Sequence, residues 1–282
     1  MLQGSIVALI TPFKADGAID WASFQKLVSW QIKQGSDALV ICGSTGESST
    51  LSSLEQKQLI EMAVLEAKGR IPIIAGTGSN DTRIAVERTK EAKEAGADAC
   101  LVIFPCDNKP TFEGCKAHFE KISQCNLPII IYHHPGRTGL CFSPKQLAEF
   151  CTLPNIVGLK EASGNVEASS EFIRLSNVPL FSGDDSLALP LIAMGAKGSI
   201  SITGNIRPQE WSNFIQTALK GEITEARRLF LSLSSICQAM VLETNPQCIK
   251  YAMSLEGHCT PFLRLPLLIP QEKTQNQIKA LF

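Results

Sequence analysis

Eight short apolar segments recur along the 282-residue chain, and their regular spacing restricts the fold more than any other feature. None exceeds seven residues, and successive segments begin roughly 20–35 residues apart. They are apolar throughout instead of alternating with polar residues, which is typical of parallel strands buried on both faces. The predicted strands span residues 5–10, 38–42, 72–76, 99–104, 128–132, 156–160, 178–183 and 197–203.

Segments with helical periodicity fill the intervals between these strands, most clearly at 19–34, 53–67 and 81–95. Eight strand–helix units predict an α/β fold of the (β/α)8 TIM-barrel type. An open, doubly wound sheet is the alternative, although no predicted strand is followed by the G-x-G-x-x-G turn that such sheets use for dinucleotides.

Beyond residue 203 the pattern changes, because helices predicted at 208–219, 223–238 and 246–256 have no strand between them. The first of these helices would complete the barrel. We therefore expect a barrel over residues 1–221 and a C-terminal helical region over residues 222–282.

Composition argues against several kinds of partner. The 26 basic and 27 acidic residues leave a net charge of −1, so no broad cationic surface is available for nucleic acid. No apolar run approaches the ~18 residues of a membrane helix, and the N-terminus lacks the basic leader of a signal peptide. The ten cysteines form no C-x-x-C pair or zinc motif, which indicates free thiols, mostly buried, in a reducing cytoplasm and no bound metal.

Two chemically capable residues end neighbouring strands, where the active site of such a barrel forms. Lys160 ends the apolar strand IVGLK, and burial there would favour its neutral, nucleophilic amine. Tyr132 ends the preceding strand and could relay protons. The alternatives are a lysine that reaches solvent or pairs with Glu161, and a rim tyrosine without a chemical role.

The loops after two other strands offer groups that suit a carboxylate. The turn GSTGES at 43–48 contains Ser44, Thr45 and backbone N–H groups, although a simple helix-entry turn would also explain it. Arg137 in PGRTG could hold a carboxylate with two parallel hydrogen bonds, or it could be an ordinary surface arginine. His133 and His134 are adjacent on an extended strand and face opposite ways, which argues against a shared metal ion.

The motifs GSTGES, YHHPGRTG, GLKEAS and SGDD, in this order and spacing, resemble the dihydrodipicolinate synthase/N-acetylneuraminate lyase family over the whole chain. The resemblance implies a class I aldolase barrel that forms a Schiff base between pyruvate and Lys160. It further implies condensation of pyruvate with L-aspartate 4-semialdehyde on the route to diaminopimelate and lysine. No cofactor would be needed, and a homo-oligomer, either a dimer or a tetramer, is implied.

The same resemblance assigns roles to single residues. Tyr132 and Ser44 would belong to a proton relay, with serine standing where a threonine is usual. Thr45 and the backbone around Gly183 and Ile200 would shape the pyruvate pocket, and Arg137 would bind the carboxylate of the semialdehyde.

One departure from the family pattern affects the relay. The family inserts a second tyrosine from a neighbouring subunit, and Asp107 occupies that position here. Asp107 is therefore a possible relay substitute, and we expect a weakened or rerouted relay.

A second departure affects feedback by lysine, which many family members bind at a dimer interface. The positions that match the lysine-binding residues of the family are occupied here by Ser53, Gln56, Ile84 and Cys106. Asn80 and Ser49 are the remaining polar residues at this predicted site. Neither Ile84 nor Cys106 can replace the polar side chain that is usual there, so we expect weak or absent inhibition.

Two other functions remain open at this point. One is a different pyruvate aldolase, such as an N-acetylneuraminate or keto-deoxy sugar acid lyase, for which Arg137 would be a poor fit to a polyol. The other is a weakly active barrel with a regulatory role, which Asp107 would favour.

Overall fold

The computed structural model describes residues 2–282 and shows a closed barrel of eight parallel strands. Each strand pairs with the next, and the eighth pairs with the first through Gly4–Gly198 to Val7–Ser201. The predicted TIM barrel is thus confirmed, and the open-sheet alternative is wrong because the sheet has no free edge. The strands are β1 Gly4–Ala8, β2 Ala38–Ile41, β3 Ile73–Gly76, β4 Ala99–Ile103, β5 Ile129–His133, β6 Ile156–Glu161, β7 Leu180–Ser182 and β8 Gly198–Ser201.

The apolar strands are buried on both faces, as their continuous hydrophobicity predicted. One set of side chains, including Ile6, Val40 and Ile130, fills the barrel interior. The alternate set, including Val7 and Leu39, packs outward against the helices. Because successive side chains in a strand face opposite ways, each strand supplies both layers.

Within residues 2–282, twelve helices surround the barrel or follow it, and polar side chains at their N-termini explain where several of them begin. Helix α2 starts with a capping box in which Ser52 and Glu55 satisfy each other's backbone N–H groups. The short helices α5 and α12 were not predicted from the sequence. The helices are α1 Trp21–Lys33, α2 Ser53–Ala67, α3 Thr82–Glu94, α4 Phe112–Ser123, α5 Pro135–Thr138, α6 Pro144–Phe150, α7 Val166–Leu175, α8 Ala188–Ala193, α9 Pro208–Leu219, α10 Ile223–Ala239, α11 Gln247–Leu255 and α12 Glu272–Lys279.

Buried and partly buried polar contacts hold the C-terminal region against the barrel. Lys250 on α11 is fully buried, and its Nζ lies 2.5 Å from Glu47 Oε1 in the loop after β2. Arg264 donates its backbone N–H to the other Glu47 oxygen and pairs with Glu55. The predicted division after residue 221 stays a prediction, since α10 packs closely on α9.

All ten cysteines are free thiols, and seven of them are buried. Only Cys106 and Cys141 are exposed, so the predicted role of most cysteines as small core residues is confirmed. None of the helices within residues 2–282 combines the length and apolar character needed to cross a membrane.

Candidate active site

A cavity of about 330 Å³ opens at the C-terminal ends of the strands. It brings together most of the residues that the sequence singled out, including Ser44, Thr45, Tyr132, Arg137 and Lys160. Strands β2, β5 and β6 and their following loops carry these groups, so residues far apart in sequence meet at one end of the barrel.

Lys160 and Tyr132 are neighbours across the β5–β6 ladder. The Lys160 Nζ atom lies 4.2 Å from the centroid of the Tyr132 ring. Both residues are buried, with 6% and 7% of their surface exposed. Glu161 pairs with His133 and not with Lys160, so the alternative prediction of a Lys160–Glu161 pair is wrong.

Burial sets the charge state of both groups. Burial lowers the pKa of Lys160 to about 7. The nearby Asp185 carboxylate opposes this effect and raises the pKa, whereas the Arg137 guanidinium lowers it further. Burial also raises the pKa of Tyr132 to about 12, partly offset by Arg137. Near neutral pH the site therefore contains a substantial fraction of neutral amine beside a protonated phenol.

The turn after β2 has N–H groups available for an anion. Its own hydrogen bonds run from Gly46, Glu47 and Ser48 back to the carbonyls of Gly43 and Ser44. Within residues 2–282 this leaves the N–H groups of Ser44 and Thr45 without an acceptor. Adjacent unpaired amides of this kind form a small anion-binding concavity.

Arg137 lies on the one-turn helix α5 at the mouth of the cavity, and its side chain is exposed. Its guanidinium donates to the carbonyl of Asn245 at 3.2 Å. Asn245 in turn donates its Nδ2 to Thr45 Oγ1 at 2.9 Å. The C-terminal region thus connects the two groups predicted to bind carboxylates, a link that the sequence alone did not reveal.

The loop after β7 approaches the lysine closely. A Cβ atom on Gly183 would lie 3.0 Å from Lys160 Cε and 2.8 Å from Ala162 Cβ, so only glycine fits there. Asp185 accepts the N–H groups of Ile202 and Thr203 with Oδ2, while its Oδ1 is buried without a partner. Burial raises the pKa of this carboxyl, although the Thr203 N–H group opposes the effect.

Two other predicted site residues do not line the cavity with their side chains. The Ile200 side chain is completely buried in the barrel interior, two residues before Ile202, which lines the cavity, and the role of the backbone around Ile200 stays a prediction. Asp107 is exposed on the loop after β4, with a positive φ of 68°, and does not line the cavity of its own chain. Its role as a relay substitute stays a prediction.

Sequence reasoning missed several residues of the cavity wall, among them His134, Cys237, Glu243 and Asn245. The last three lie in the C-terminal region, more than 70 residues beyond Lys160. Only the interruption of the helical pattern at Asn245 could have drawn attention to that segment. The two adjacent histidines face different surroundings, and among residues 2–282 no cluster of three or more His, Cys, Asp or Glu side chains suits a metal ion.

The chain has clear relatives. The family model described as the Dihydrodipicolinate synthetase family matches residues 1–282. The chain is 45% identical to the 4-hydroxy-tetrahydrodipicolinate synthase of Geobacter sp. (strain M21) over 284 residues, which cover 100% of this chain and 98% of the relative.

Solved structures agree with this assignment. The dihydrodipicolinate synthase of Aquifex aeolicus superposes with a TM-score of 0.97 at 41% identity, covering 99% of this chain and 97% of that one. The chloride-inhibited dihydrodipicolinate synthase of Acinetobacter baumannii, complexed with pyruvate, gives 0.98 at 41% identity and covers 100% and 98%. The chain therefore belongs to the dihydrodipicolinate synthetase family.

Proposed function

We propose that this protein condenses pyruvate with L-aspartate 4-semialdehyde to give 4-hydroxy-tetrahydrodipicolinate, a lyase-class reaction on the route to diaminopimelate and lysine. The observation that carries the proposal is the buried Lys160 amine, with a pKa of about 7, beside the Tyr132 phenol. The function of relatives 45% identical over the whole chain supports the same reaction.

The first half of the reaction activates pyruvate. The neutral Lys160 amine attacks the keto carbon, and loss of water from the resulting carbinolamine gives an iminium ion. Tyr132 stays protonated near pH 7 because its pKa is about 12, so it can donate the proton that the departing hydroxyl needs. The amides of Ser44 and Thr45 would hold the pyruvate carboxylate.

The second half forms the new carbon–carbon bond. Loss of a methyl proton from the iminium ion gives an enamine, which attacks the aldehyde carbon of the second substrate. The amino group of that substrate then attacks the iminium carbon, which closes the ring and releases Lys160. One water is lost overall, and no metal or organic cofactor is needed because the iminium nitrogen serves as the electron sink.

Arg137 selects the second substrate in this proposal. A guanidinium at the mouth can form two parallel hydrogen bonds with the carboxylate of the semialdehyde. A sugar acid lyase would need hydroxyl partners for a polyol at the same place. Parallel assays with L-aspartate 4-semialdehyde and with N-acetylneuraminate test the choice, and turnover of the sugar acid alone would reject the synthase.

The proton relay would continue through the Ser44 hydroxyl. Ser44 and Tyr132 line a small side crevice of about 30 Å³ as well as the main cavity. One or two waters fit a space of this size, given that a single water needs about 10–15 Å³. Water in this crevice would replace the second phenol of the usual relay, with Asp107 as a possible contributor from a neighbouring subunit.

We also infer a cytoplasmic dimer or tetramer. Ten free thiols in one chain suit a reducing compartment. The assembly is inferred from the family resemblance, and size-exclusion chromatography with light scattering tests it. A monomer with full activity would contradict it.

A further inference from the structure

A buried, hydrogen-bonded pair of side chains lies beside Tyr132 and Lys160, and the proposed reaction does not use it. His133 Nδ1 lies 2.7 Å from Glu161 Oε2, and only 2% and 5% of the two side chains are exposed. These residues follow Tyr132 and Lys160 in their strands. Because successive side chains in a strand face opposite ways, the pair projects outward, where the His133 ring contacts Phe104 and Phe142.

Every polar atom of this pair has a defined partner. His133 Nε2 accepts the backbone N–H of Phe142 at 3.3 Å, so the ring proton belongs on Nδ1 and is donated to Glu161. The other carboxylate oxygen of Glu161 accepts the backbone N–H of Ser163 at 2.6 Å. Fully satisfied buried groups of this kind have fixed side-chain conformations.

The pair joins β5 and β6 at the point where alignment matters for the chemistry. His133 is the register partner of Glu161, one step beyond the Tyr132–Lys160 partners. The β5–β6 ladder shifts register between Ile129 and Ile130, so the pairing at the N-terminal ends of these strands does not by itself determine how Tyr132 aligns with Lys160. The hydrogen bond between His133 and Glu161, which we call the β5–β6 clamp, constrains that alignment at the C-terminal ends.

We propose that His133 and Glu161 are positioning residues that hold the Tyr132 phenol and the Lys160 amine in the alignment needed for imine formation. The inference rests on the proposed function, because it assumes that Lys160 forms the imine. Misplacement of reacting groups by ~1 Å costs about 100-fold in rate, so a loosened clamp lowers the rate without removing either catalytic residue.

Three variants separate the contacts of the pair. Glu161→Gln replaces one of the two acceptor oxygens by an NH2 group. That group must face either the Ser163 N–H or the His133 Nδ1–H, and because two donors cannot bond to each other, one hydrogen bond is lost. His133→Leu removes both ring nitrogens at similar volume. His133→Asn keeps a donor near the position of Nδ1 and is the conservative variant that should restore the clamp.

A buried histidine outside the site provides the matched control. His118 on the outer helix α4 is 4% exposed and bonds to Thr82, and it does not line the cavity. His118→Leu removes a buried imidazole without touching the β5–β6 clamp. It therefore reports what the loss of such a group costs in general.

The experiment measures kcat, pyruvate KM and the rate of borohydride trapping at Lys160 with pyruvate, each per folded protein, together with thermal midpoints. We expect Glu161→Gln and His133→Leu to lower kcat and trapping by about 10–100-fold with pyruvate KM within about threefold. His133→Asn should recover most of the rate, and His118→Leu should trap at the wild-type rate.

Two results would overturn the inference while leaving the proposed function intact. One is wild-type trapping in all folded variants with only the thermal midpoint lowered. The other is loss of folding in both Glu161→Gln and His133→Leu under assay conditions, which would assign the pair to stability alone. If the wild-type protein itself is not trapped, the proposed function fails and the inference fails with it.

Discussion

Lys160 Nζ lies 4.2 Å from the centre of the Tyr132 ring, in a site where burial brings the pKa of the amine to about 7. A free lysine has a pKa of ~10.4. The difference means that the amine loses its proton within the physiological pH range. The rate of imine formation with pyruvate should therefore rise with pH through about 7 and level off above it.

Below pH 6 we expect that rate to fall about tenfold for each pH unit, because the protonated amine is not a nucleophile. Rapid-quench borohydride trapping between pH 5 and 9 measures the profile. A midpoint near the value of free lysine would show that Lys160 is not desolvated in the working enzyme.

Two charges near Lys160 act in opposite directions. Arg137→Gln removes a cation that lowers the pKa of Lys160, so the pH midpoint of imine formation should move to higher pH. Asp185→Asn removes an anion that raises it, so the midpoint should move to lower pH. The pyruvate-only half-reaction is the right measurement, because Arg137 is also expected to bind the second substrate. Shifts in the same direction for both variants would contradict this electrostatic account.

The buried Lys250–Glu47 pair should contribute to stability. Lys250→Met leaves the Glu47 carboxylate buried with an incomplete set of partners, and such losses typically cost about 3–5 kcal/mol in the free energy of unfolding. The double variant Glu47→Gln with Lys250→Met carries no unpaired charge at this position, so its free energy of unfolding should fall less than that of Lys250→Met. Urea denaturation measures both, and a double variant less stable than Lys250→Met would contradict the prediction.

Asp107→Tyr tests the rerouted relay. If water and other groups replace the usual phenol, restoring tyrosine should leave kcat equal or higher. Asp107 has a positive φ of 68°, which aspartate tolerates better than tyrosine, so the thermal midpoint must be compared in parallel. A large fall in kcat for a variant with a wild-type thermal midpoint would show that Asp107 itself participates.

Feedback by lysine should be weak or absent. Gln56 already donates its amide to the Ser48 carbonyl at 2.9 Å, and Ile84 offers no polar atom from its side chain. Initial rates measured over a range of lysine concentrations test this prediction. Strong inhibition at sub-millimolar lysine would contradict it.

The sequence predicted the barrel well because each strand is an apolar segment between segments of helical periodicity. Lys160, Tyr132 and Arg137 could be placed at the mouth because the first two lie at the C-terminal ends of their strands and Arg137 lies in the loop that follows one of them. The contribution of Asn245 could not be found in this way, since its contacts with Thr45 and Arg137 depend on how the C-terminal helices pack. The predicted role of the backbone around Ile200 stays a prediction, because the burial of its side chain says nothing about its backbone groups.

The most direct test of the central claim is borohydride reduction of the protein in the presence of pyruvate, followed by peptide mass mapping. We predict a single covalent adduct on Lys160, and no adduct in Lys160→Ala or without pyruvate. Absence of an adduct in folded wild-type protein, or an adduct on a different lysine, would contradict the account.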